Sequence, residues 1–348
     1  MDFKKVLTNW YSINKRELPW RNTKNPYYIW LSEIIMQQTQ IKQGLPYYEA
    51  FVTNYPSVFD LANAQEQDVL KLWQGLGYYS RARNLHASAK YIANELDGIF
   101  PSTYSEIIKL KGVGDYTASA IASICFNEPT AVVDGNVYRV LSRYFGISTP
   151  INSSQGIKEF KMLATSLIDT KYPGDYNQAL MEFGATQCKP KNPYCIVCPL
   201  KDHCVALQKG NIDMLPVKLK KTKVVKKHFN FLVFMSSDKK TLFEQRNTKG
   251  IWRNLYQFPL VETVKELHSE DFKSHTKISS YLNNIEFEYS LYNTKELVHK
   301  LSHQHLYTKF WIIEVDKLPE QGIPISELKS YPAPIVIGNF IEEFSFPV

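Results

Sequence analysis

The stretch Leu110-Lys-Gly-Val-Gly-Asp115 separates two predicted helices. Its glycines, Gly112 and Gly114, permit a left-handed turn and let another backbone approach closely. The second helix begins with backbone N–H groups that lack partners inside the helix, and such groups can hold a phosphate. The pattern is typical of a helix-hairpin-helix, which grips the DNA backbone without reading bases. We therefore predict phosphate contacts at Lys111, Gly112 and Gly114, with an ordinary interhelical turn as the alternative.

The composition is that of a globular chain without a membrane segment. The chain has 348 residues, of which 44% are hydrophobic and 22% charged, enough to bury two ordinary cores. No apolar run is long enough to cross a bilayer, and the amino terminus lacks the features of a secretory signal. We expect a cytoplasmic protein (nucleoid-associated if bacterial) with no membrane partner. The net charge of +7 permits a polyanionic partner.

The sequence changes character twice, which divides it into three parts. Residues 1–208 read as mostly helical, residues 209–227 are basic, and residues 228–348 combine β-like runs with helical patches. We predict an all-α domain, a linker and an α+β domain of usual size. The linker is either a solvated connector or a segment that follows a phosphate backbone. Its lysines are Lys218, Lys220, Lys221, Lys223, Lys226 and Lys227.

Apolar periodicity and glycine or proline stops predict the individual elements. Predicted helices span residues 27–43, 57–73, 81–96, 102–109, 115–125, 135–145 and 154–169. The first of them is expected to follow Pro26 and to end at Gly44. Predicted strands span residues 229–235, 241–246, 286–292 and 306–315, with helical patches near Val264 and Ile278.

Four closely spaced cysteines predict a metal centre at the end of the helical part. Cys188, Cys195, Cys198 and Cys204 have the spacing C-x6-C-x2-C-x5-C. Four such thiolates can hold an iron–sulfur cluster, and the proline and asparagine between them favour tight turns. A structural zinc ion is the alternative, because C-x2-C suits it. Disulfides are disfavoured by a long chain with only five cysteines and no secretory signal.

Two carboxylates in contrasting surroundings form a candidate acid–base pair. Glu33 is the only charged residue of the apolar and amide-rich run 30–40, where burial would raise its pKa and make it a general acid. Asp134 stands at a predicted helix N-cap, where backbone N–H groups are expected to keep it ionised. Splitting a glycosidic bond requires one protonated and one ionised carboxylate. The alternatives are a solvent-facing glutamate and a simple helix cap.

A loop rich in glycine, tyrosine and arginine covers residues 75–83. Its sequence is Gly75-Leu-Gly-Tyr-Tyr-Ser-Arg-Ala-Arg83. Flexible backbone, aromatic faces and guanidinium groups together suit insertion into a base stack beside phosphates. The alternative is a helix-to-helix loop with its aromatic side chains in the core.

Residues 1–208 resemble the adenine DNA glycosylase (MutY) family of the endonuclease III-like helix-hairpin-helix superfamily. The matching segments are Leu18-Pro-Trp-Arg21, Trp30-Leu-Ser-Glu33, Gln37-Gln-Thr-Gln40, Gly75-Leu-Gly-Tyr-Tyr79, Gly112-Val-Gly114, Asp134-Gly-Asn136 and the cysteine loop, residues 188–204. The resemblance implies one [4Fe–4S] cluster per chain on the four cysteines. It also implies removal of adenine opposite 8-oxoguanine, or less efficiently opposite guanine, after the base is flipped out of double-stranded DNA.

The resemblance implies roles at the reaction site. Glu33 would protonate adenine N7, Asp134 would stabilise the oxocarbenium-like sugar, and Asn136 and Tyr116 would support this pair. Relatives that also cut the strand carry a lysine at the position of Tyr116, and tyrosine cannot form a Schiff base. The resemblance also places a lysine two residues after Asp134-Gly-Asn136, where this chain has Tyr138. We therefore expect a monofunctional enzyme that leaves an abasic site.

Contacts with the two bases follow from the same resemblance. Gln38 and Tyr78 match residues that wedge into the stack on the 8-oxoguanine side of the pair. Trp20, Arg21 and Gln178 fall at positions of the adenine pocket.

The last part of the chain resembles, more loosely, the Nudix-like domain of the same family. The resemblance rests on Gly250-Ile-Trp252 and Leu255-Tyr-Gln-Phe-Pro259. The acidic metal-binding helix of Nudix hydrolases is missing after Pro259, so the expected role is recognition of 8-oxoguanine. Ser302 and His303 match hydrogen-bonding groups of the family's recognition loop, whereas Leu301 replaces its aromatic residue.

Three other functions compete with this interpretation. A bifunctional endonuclease III-like enzyme acting on oxidised pyrimidines is disfavoured by Tyr116. A non-catalytic iron–sulfur DNA-binding protein is disfavoured because Glu33 and Asp134 are both present. A Nudix hydrolase is disfavoured by the missing acidic helix. The chain is expected to act as a monomer.

Overall fold

The computed structural model describes residues 2–219, 224–282 and 285–346. They form two compact units. The first unit comprises Met1–Asn63 and Asn84–Lys220, and the second comprises Ala64–Arg83 and Lys221–Val348. A short stretch from the N-terminal half therefore belongs to the same unit as the C-terminal half.

Helices build the first unit, so the predicted all-α character of this part of the chain is confirmed. The helices are α1 (Phe3–Asn14), α2 (Pro26–Ile35), α3 (Ile41–Asn54), α4 (Val58–Asn63), α5 (Glu66–Leu72), α6 (Ser80–Glu95), α7 (Tyr104–Ile107), α8 (Asp115–Phe126), α9 (Gly135–Phe145), α10 (Ser154–Leu167), α11 (Pro173–Thr186) and α12 (Val205–Gln208). Helix α5 lies in the second unit, and α6 begins there. One core cluster of the first unit is formed mainly by α1, α9 and α11, whose apolar faces bury Leu7, Leu141 and Phe183.

The single helix predicted over residues 27–43 is wrong, because the chain turns between α2 and α3. Gln38 has a φ of 54° in this turn, a left-handed conformation that a helix does not accommodate. Gly44, expected to end the helix, lies inside α3. A Cβ at Gly44 would stand 2.6 Å from Met36 Sδ, so this glycine serves close packing rather than a helix end.

Other helix boundaries also differ from the prediction. The helix predicted over residues 57–73 divides into α4 and α5, and Gln65 between them has extended backbone angles. Helices α1 and α11 have no counterpart among the predicted helices. The carboxylate of Asp2 caps α1 by accepting two backbone N–H groups, and Pro173 opens α11 at a position that suits proline.

A five-stranded mixed sheet forms the centre of the second unit, which confirms the predicted α+β character. The strands are β1 (Val225–Ser236), β2 (Lys240–Thr241), β3 (Glu244–Gln245), β4 (Tyr256–Gln257), β5 (Leu260–Thr263), β6 (Phe287–Leu291), β7 (Leu297–Lys300), β8 (Gln304–Val315) and β9 (Ile323–Pro324). The order of the sheet is β5-β1-β8-β6, with β7 also paired to β8. Strands β1 and β8 are parallel and the other pairs are antiparallel.

In the described part of residues 224–346, α-helices α13 (Ser269–Phe272), α14 (Thr276–Leu282) and α15 (Ile335–Glu343) accompany the sheet. The predicted helical patch near Ile278 corresponds to α14. The patch near Val264 is wrong, because this exposed residue lies in a bend directly after β5.

The stretch 64–83 joins the second unit through specific hydrogen bonds. The backbone N–H of Ala333 donates to Gln74 Oε1 at 3.2 Å, and the Tyr79 hydroxyl donates to the carbonyl of Ala333 at 3.3 Å. These bonds satisfy backbone groups just before α15, where a helix end would otherwise leave an N–H without a partner.

The basic segment is only partly described. Lys220, Lys221 and Lys223 lie outside the described residues, whereas Lys226 and Lys227 lie in strand β1. Among the residues described, no helix is both long and apolar enough to cross a membrane.

Helix α11 packs so closely on α8 that a glycine is required at the contact. A Cβ at Gly174 would lie 2.8 Å from Ile124 Cα and from Ser123 O, which are backbone atoms. We expect Gly174→Ala to destabilise the helical unit by roughly 1–3 kcal/mol through overpacking. Gly44→Ala is the matched control and should cost less, because the Met36 side chain can move. Calorimetric melting measures both variants, and equal Tm values would contradict this prediction.

Candidate active site and metal centre

Glu33 is a partly buried residue of α2 that faces α8 and the start of α9. Its carboxylate shares a hydrogen bond with the Tyr116 hydroxyl and lies near Asp134. Burial raises the pKa of Glu33 to about 7; the charge of Asp134 adds to the rise and the bond to Tyr116 opposes it. A carboxyl group with this pKa still holds a proton near neutral pH, as a general acid must.

Asp134 is the N-cap of α9 and accepts three hydrogen bonds. They come from the backbone N–H of Asn136 at 2.9 Å, that of Val137 at 2.8 Å, and Asn136 Nδ2 at 2.7 Å. That Asp134 is ionised stays a prediction: burial raises its pKa, and the hydrogen bonds partly offset this rise. The three bonds still favour the anion. We therefore expect Glu33 to hold the proton when the pair carries one.

Tyr116 is the second residue of α8, and its hydroxyl lies between two partners. It donates to Met181 Sδ at 3.2 Å and shares the hydrogen bond with Glu33. Burial, followed by the charges of Glu33 and Asp134, raises the pKa of Tyr116 well above its ordinary value. The hydroxyl therefore keeps its proton throughout the neutral range.

Arg139 connects this site to the cysteine loop, and sequence reasoning missed it. Its Nη2 donates to Asn136 Oδ1 at 2.8 Å and to the Gly184 carbonyl at 2.5 Å, while its Nε donates to the Cys188 carbonyl at 2.7 Å. Since Asn136 bonds to Asp134, a continuous chain of hydrogen bonds runs from Asp134 to Cys188. Arg139 lies one turn after Asn136 in the same helix, and this spacing is the signal that the sequence offers.

The four cysteines line one cavity of the helical unit, together with Arg143 and apolar side chains. None of them forms a disulfide. Arg143 Nη1 lies 3.5 Å from Cys188 Sγ and donates to the Lys189 carbonyl at 2.7 Å. In the described part of the chain, no three His, Cys, Asp or Glu side chains stand close enough to hold a single metal ion. Four thiols that line one cavity are a ligand set suited to an iron–sulfur cluster or to a zinc ion.

Two of the three predicted adenine-pocket residues contact Tyr11, and the third contacts Tyr48. Gln178 accepts a hydrogen bond from the Tyr11 hydroxyl at 3.3 Å, and the Arg21 guanidinium lies 5.5 Å from the centre of the same ring. Trp20 instead packs edge-on against Tyr48, with ring centres 5.0 Å apart. Tyr11 is thus a shared neighbour of two of the three predicted residues.

Glu182 is a buried carboxylate beside this pocket, and sequence reasoning missed it. It forms ion pairs with Arg16 at 2.7 Å and with Arg21 at 2.6 Å, and 1% of its side chain is exposed. Burial alone would raise the pKa of Glu182, but the two guanidinium groups outweigh burial and lower it to about 2. The sequence offers no signal for this cluster, because Arg16 and Arg21 precede Glu182 by 166 and 161 residues.

The predicted hairpin lies between α7 and α8. Gly112 has a φ of 78°, and Gly114 is the N-cap of α8 without a side-chain cap. Lys111 is exposed at the turn. Lys161 Nζ lies 2.9 Å from both carboxylate oxygens of Asp115, so the charge of this aspartate is compensated beside the turn.

The residues predicted to contact the 8-oxoguanine side have unusual backbones or close partners. Gln38 is exposed in the turn between α2 and α3. In the second unit, Tyr78 has a φ of 48° and is 46% exposed, and its hydroxyl hydrogen-bonds with Ser302. The carbonyl of His303 accepts from the backbone N–H of Val225 at 3.1 Å, which ties the loop to strand β1.

Two family models match the chain. Residues 31–164 match the HhH-GPD superfamily of base excision DNA repair proteins, and residues 230–343 match the NUDIX domain. The fold and these matches define a DNA glycosylase, which is a hydrolase, with a Nudix-like C-terminal domain.

Relatives that match most of the chain define the family more narrowly. An adenine DNA glycosylase of Buchnera aphidicola subsp. Baizongia pistaciae is 37% identical over 313 residues, covering 89% of this chain and 86% of the relative. That of Buchnera aphidicola subsp. Schizaphis graminum is 36% identical over 287 residues, covering 80% and 82%. The chain therefore belongs to the adenine DNA glycosylase family.

Solved structures share the fold of the helical part. A thermostable thymine-DNA glycosylase is 30% identical with a TM-score of 0.55, covering 60% of this chain and 95% of that one. A trapped endonuclease III–DNA covalent intermediate is 22% identical with a TM-score of 0.52, covering 60% and 94%. The second likeness shows the fold alone.

The Glu182 cluster makes a prediction about stability and pH. Because the pKa of Glu182 is lowered from 4.5 to about 2, its carboxylate stabilises the fold above pH 4.5, and this contribution is lost as the pH falls towards 2. We expect Glu182→Gln to cost about 2–4 kcal/mol at pH 7. The Tm of the variant should also depend less on pH below 4.5, as followed by circular dichroism. Glu95→Gln, at an exposed position, is the control; a wild-type-like pH dependence in Glu182→Gln would refute the assignment.

Proposed function

We propose that the chain is an adenine DNA glycosylase that removes adenine paired with 8-oxoguanine, or with guanine, from double-stranded DNA. The observation that carries the proposal is a pair of neighbouring carboxyl groups: Glu33, with a pKa of about 7 and a hydrogen bond to Tyr116, and the N-cap Asp134, which is bonded to Asn136. The family to which the chain belongs supports adenine as the base. The base must leave the duplex before its glycosidic bond can be reached.

The chemistry follows from the two carboxyl groups. Glu33 gives its proton to adenine N7, the C1′–N9 bond breaks with its electrons going to the base, and neutral adenine leaves. The oxocarbenium-like sugar is stabilised by the Asp134 carboxylate, which Asn136 orients through its 2.7 Å bond. Water then adds to C1′ and gives its proton to the Glu33 carboxylate, which completes the abasic site and restores the acid.

Tyrosine at two positions supports monofunctional chemistry. A strand-cutting enzyme needs an amine that attacks C1′ and forms a Schiff base. The chain has Tyr116 and Tyr138 where such lysines stand in relatives, and a phenol cannot form that intermediate. The product is therefore an abasic site in an intact strand.

Recognition of the lesion is assigned to both units. Gln38 and Tyr78 would wedge into the stack, Lys111, Gly112 and Gly114 would hold a phosphate, and Trp20, Arg21 and Gln178 would enclose adenine. Ser302 and His303 would hydrogen-bond to 8-oxoguanine. The bond between Tyr78 and Ser302 supports their acting together. With Leu301 in place of an aromatic residue, stacking on the lesion would rest on Tyr78.

One [4Fe–4S] cluster per chain is proposed on Cys188, Cys195, Cys198 and Cys204. The support is the cavity that the four thiols share and their spacing, which matches the cluster loop of the family. When bound, the cluster would cross-link the loop through four iron–thiolate bonds. The loop would then present its exposed lysines to DNA phosphates. We also propose a cytoplasmic monomer, with residues 1–208 and 228–348 as its two functional regions.

Single-turnover base release tests the proposed function. A duplex with adenine opposite 8-oxoguanine should lose adenine, an A·T duplex should not, and strands should break only after alkali. The rate should fall as the pH rises through about 7, because Glu33 must be protonated. Glu33→Gln should be slower by at least about a hundredfold, whereas Glu95→Gln should match the wild type. Base release by Glu33→Gln at the wild-type rate would exclude the acid role.

Metal analysis tests the cluster. The purified protein should contain about four irons and four sulfides per chain. Cys198→Ala should lose most of the iron and melt at a lower temperature, while Cys125→Ala, at the cysteine outside the loop, should keep it. Stoichiometric zinc in place of iron would contradict the proposal.

A further inference from the structure

Met181 contacts the catalytic machinery, yet no step of the proposed reaction uses it. It is a partly buried residue of α11, and its Sδ accepts a hydrogen bond from the Tyr116 hydroxyl at 3.2 Å. The same hydroxyl shares a hydrogen bond with Glu33. A phenol has one proton to donate, although its oxygen can also accept a hydrogen bond. The partner to which the Tyr116 hydroxyl donates its hydrogen bond therefore depends on the charge of Glu33.

The two protonation states of Glu33 use Tyr116 in opposite ways. When Glu33 is ionised, its carboxylate can only accept, so the hydroxyl donates to Glu33 and Met181 loses its bond. When Glu33 is protonated, its O–H can donate to the tyrosine oxygen. The tyrosine hydroxyl then needs another acceptor for its hydrogen bond, and Met181 Sδ lies within hydrogen-bond distance. The thioether thus bonds in only one of the two states.

We propose that Met181 is a positioning residue that stabilises the acid form of Glu33. Its thioether accepts the hydrogen bond of the Tyr116 hydroxyl when that hydroxyl no longer donates to Glu33. This inference rests on the proposed function, in which protonated Glu33 is the reactive form. The thioether suits the task because it is a weak acceptor that is uncharged, so losing its bond in the ionised state costs little.

The other groups that face Glu33 do not provide this acceptor. Asp134, from the start of α9, raises the pKa of Glu33 by its charge, but its carboxylate is bonded to Asn136 and Val137. Cys125, from α8, interacts electrostatically with Glu33, and its own pKa is raised to about 12 by burial. Within the residues described, Met181 is the side chain that can accept the hydrogen bond of the tyrosine hydroxyl when Glu33 does not.

The sign of the expected effect follows from the two states. Met181→Leu keeps the volume and removes the acceptor, so it destabilises the protonated form of Glu33 relative to the ionised form. The upper limb of the pH–rate profile should move to lower pH by roughly half a unit, the size of one weak hydrogen bond. Well below the limb, the single-turnover rate should stay within about twofold of the wild type.

The experiment compares pH–rate profiles of single-turnover adenine release. Met181→Leu and Met181→Ile are the two test variants, so that a folding defect in one does not decide the result. Met162→Leu, at a 63% exposed position on α10, is the matched control and should leave the limb in place. Tyr116→Phe removes the hydroxyl that connects Met181 to Glu33, so adding Met181→Leu to it should cause no further shift.

The outcomes separate this proposal from the proposed function. An unmoved limb in active Met181 variants overturns the role of Met181 alone. A shift of the same size in the Tyr116→Phe background also overturns it, because the effect would then bypass the hydroxyl. No base release by the wild type, or full activity of Glu33→Gln, overturns the acid role itself and with it the basis of the inference.

Discussion

The close approach of helix α11 to its neighbours is the constraint on which the active site depends. Gly174 lets it contact the backbone of α8, and Gly184 lets it contact α9, where a Cβ would lie 2.6 Å from Asn136 Cβ. The same helix carries Met181 beside Tyr116 and Glu182 beneath two arginines. A small displacement of α11 would therefore disturb the surroundings of Tyr116, Asn136 and the Glu182 ion pairs together.

Electrostatics at the site are set by burial acting against hydrogen bonds. Glu33 and Asp134 both have raised pKa values, but Asp134 also receives backbone N–H groups from the start of α9. Asp134 thus differs from Glu33 in the backbone hydrogen bonds that favour its anion, rather than in the effect of burial. Glu182 shows the opposite balance, because two guanidinium groups outweigh burial and lower its pKa. Burial therefore decides the direction of the pKa shift at Glu33 and Asp134, whereas the ion pairs decide it at Glu182.

Sequence alone predicted the features that depend on local pattern, and missed those that depend on distant partners. The hairpin around Gly112, the N-cap position of Asp134 and the class of both parts could be predicted because their signals lie within a few residues. The turn at Gln38 could not, since its neighbours continue a helical pattern. Arg139 and Glu182 could not either, because tertiary packing supplies their partners. The raised pKa of Asp134 reflects burial, which no N-cap motif reveals.

The assignment of residues 64–83 to the second unit has a consequence for how such a chain can evolve. Lys71 donates to the carbonyl of Tyr331 at 3.2 Å, and Gln74 accepts from Ala333, so the first half of the chain holds part of the fold of the second half. Recombination at the middle of the gene would pair this stretch with a foreign partner. Exchange of the C-terminal half alone would replace the partners of Lys71 and Gln74, whereas exchange together with residues 64–83 would keep these contacts.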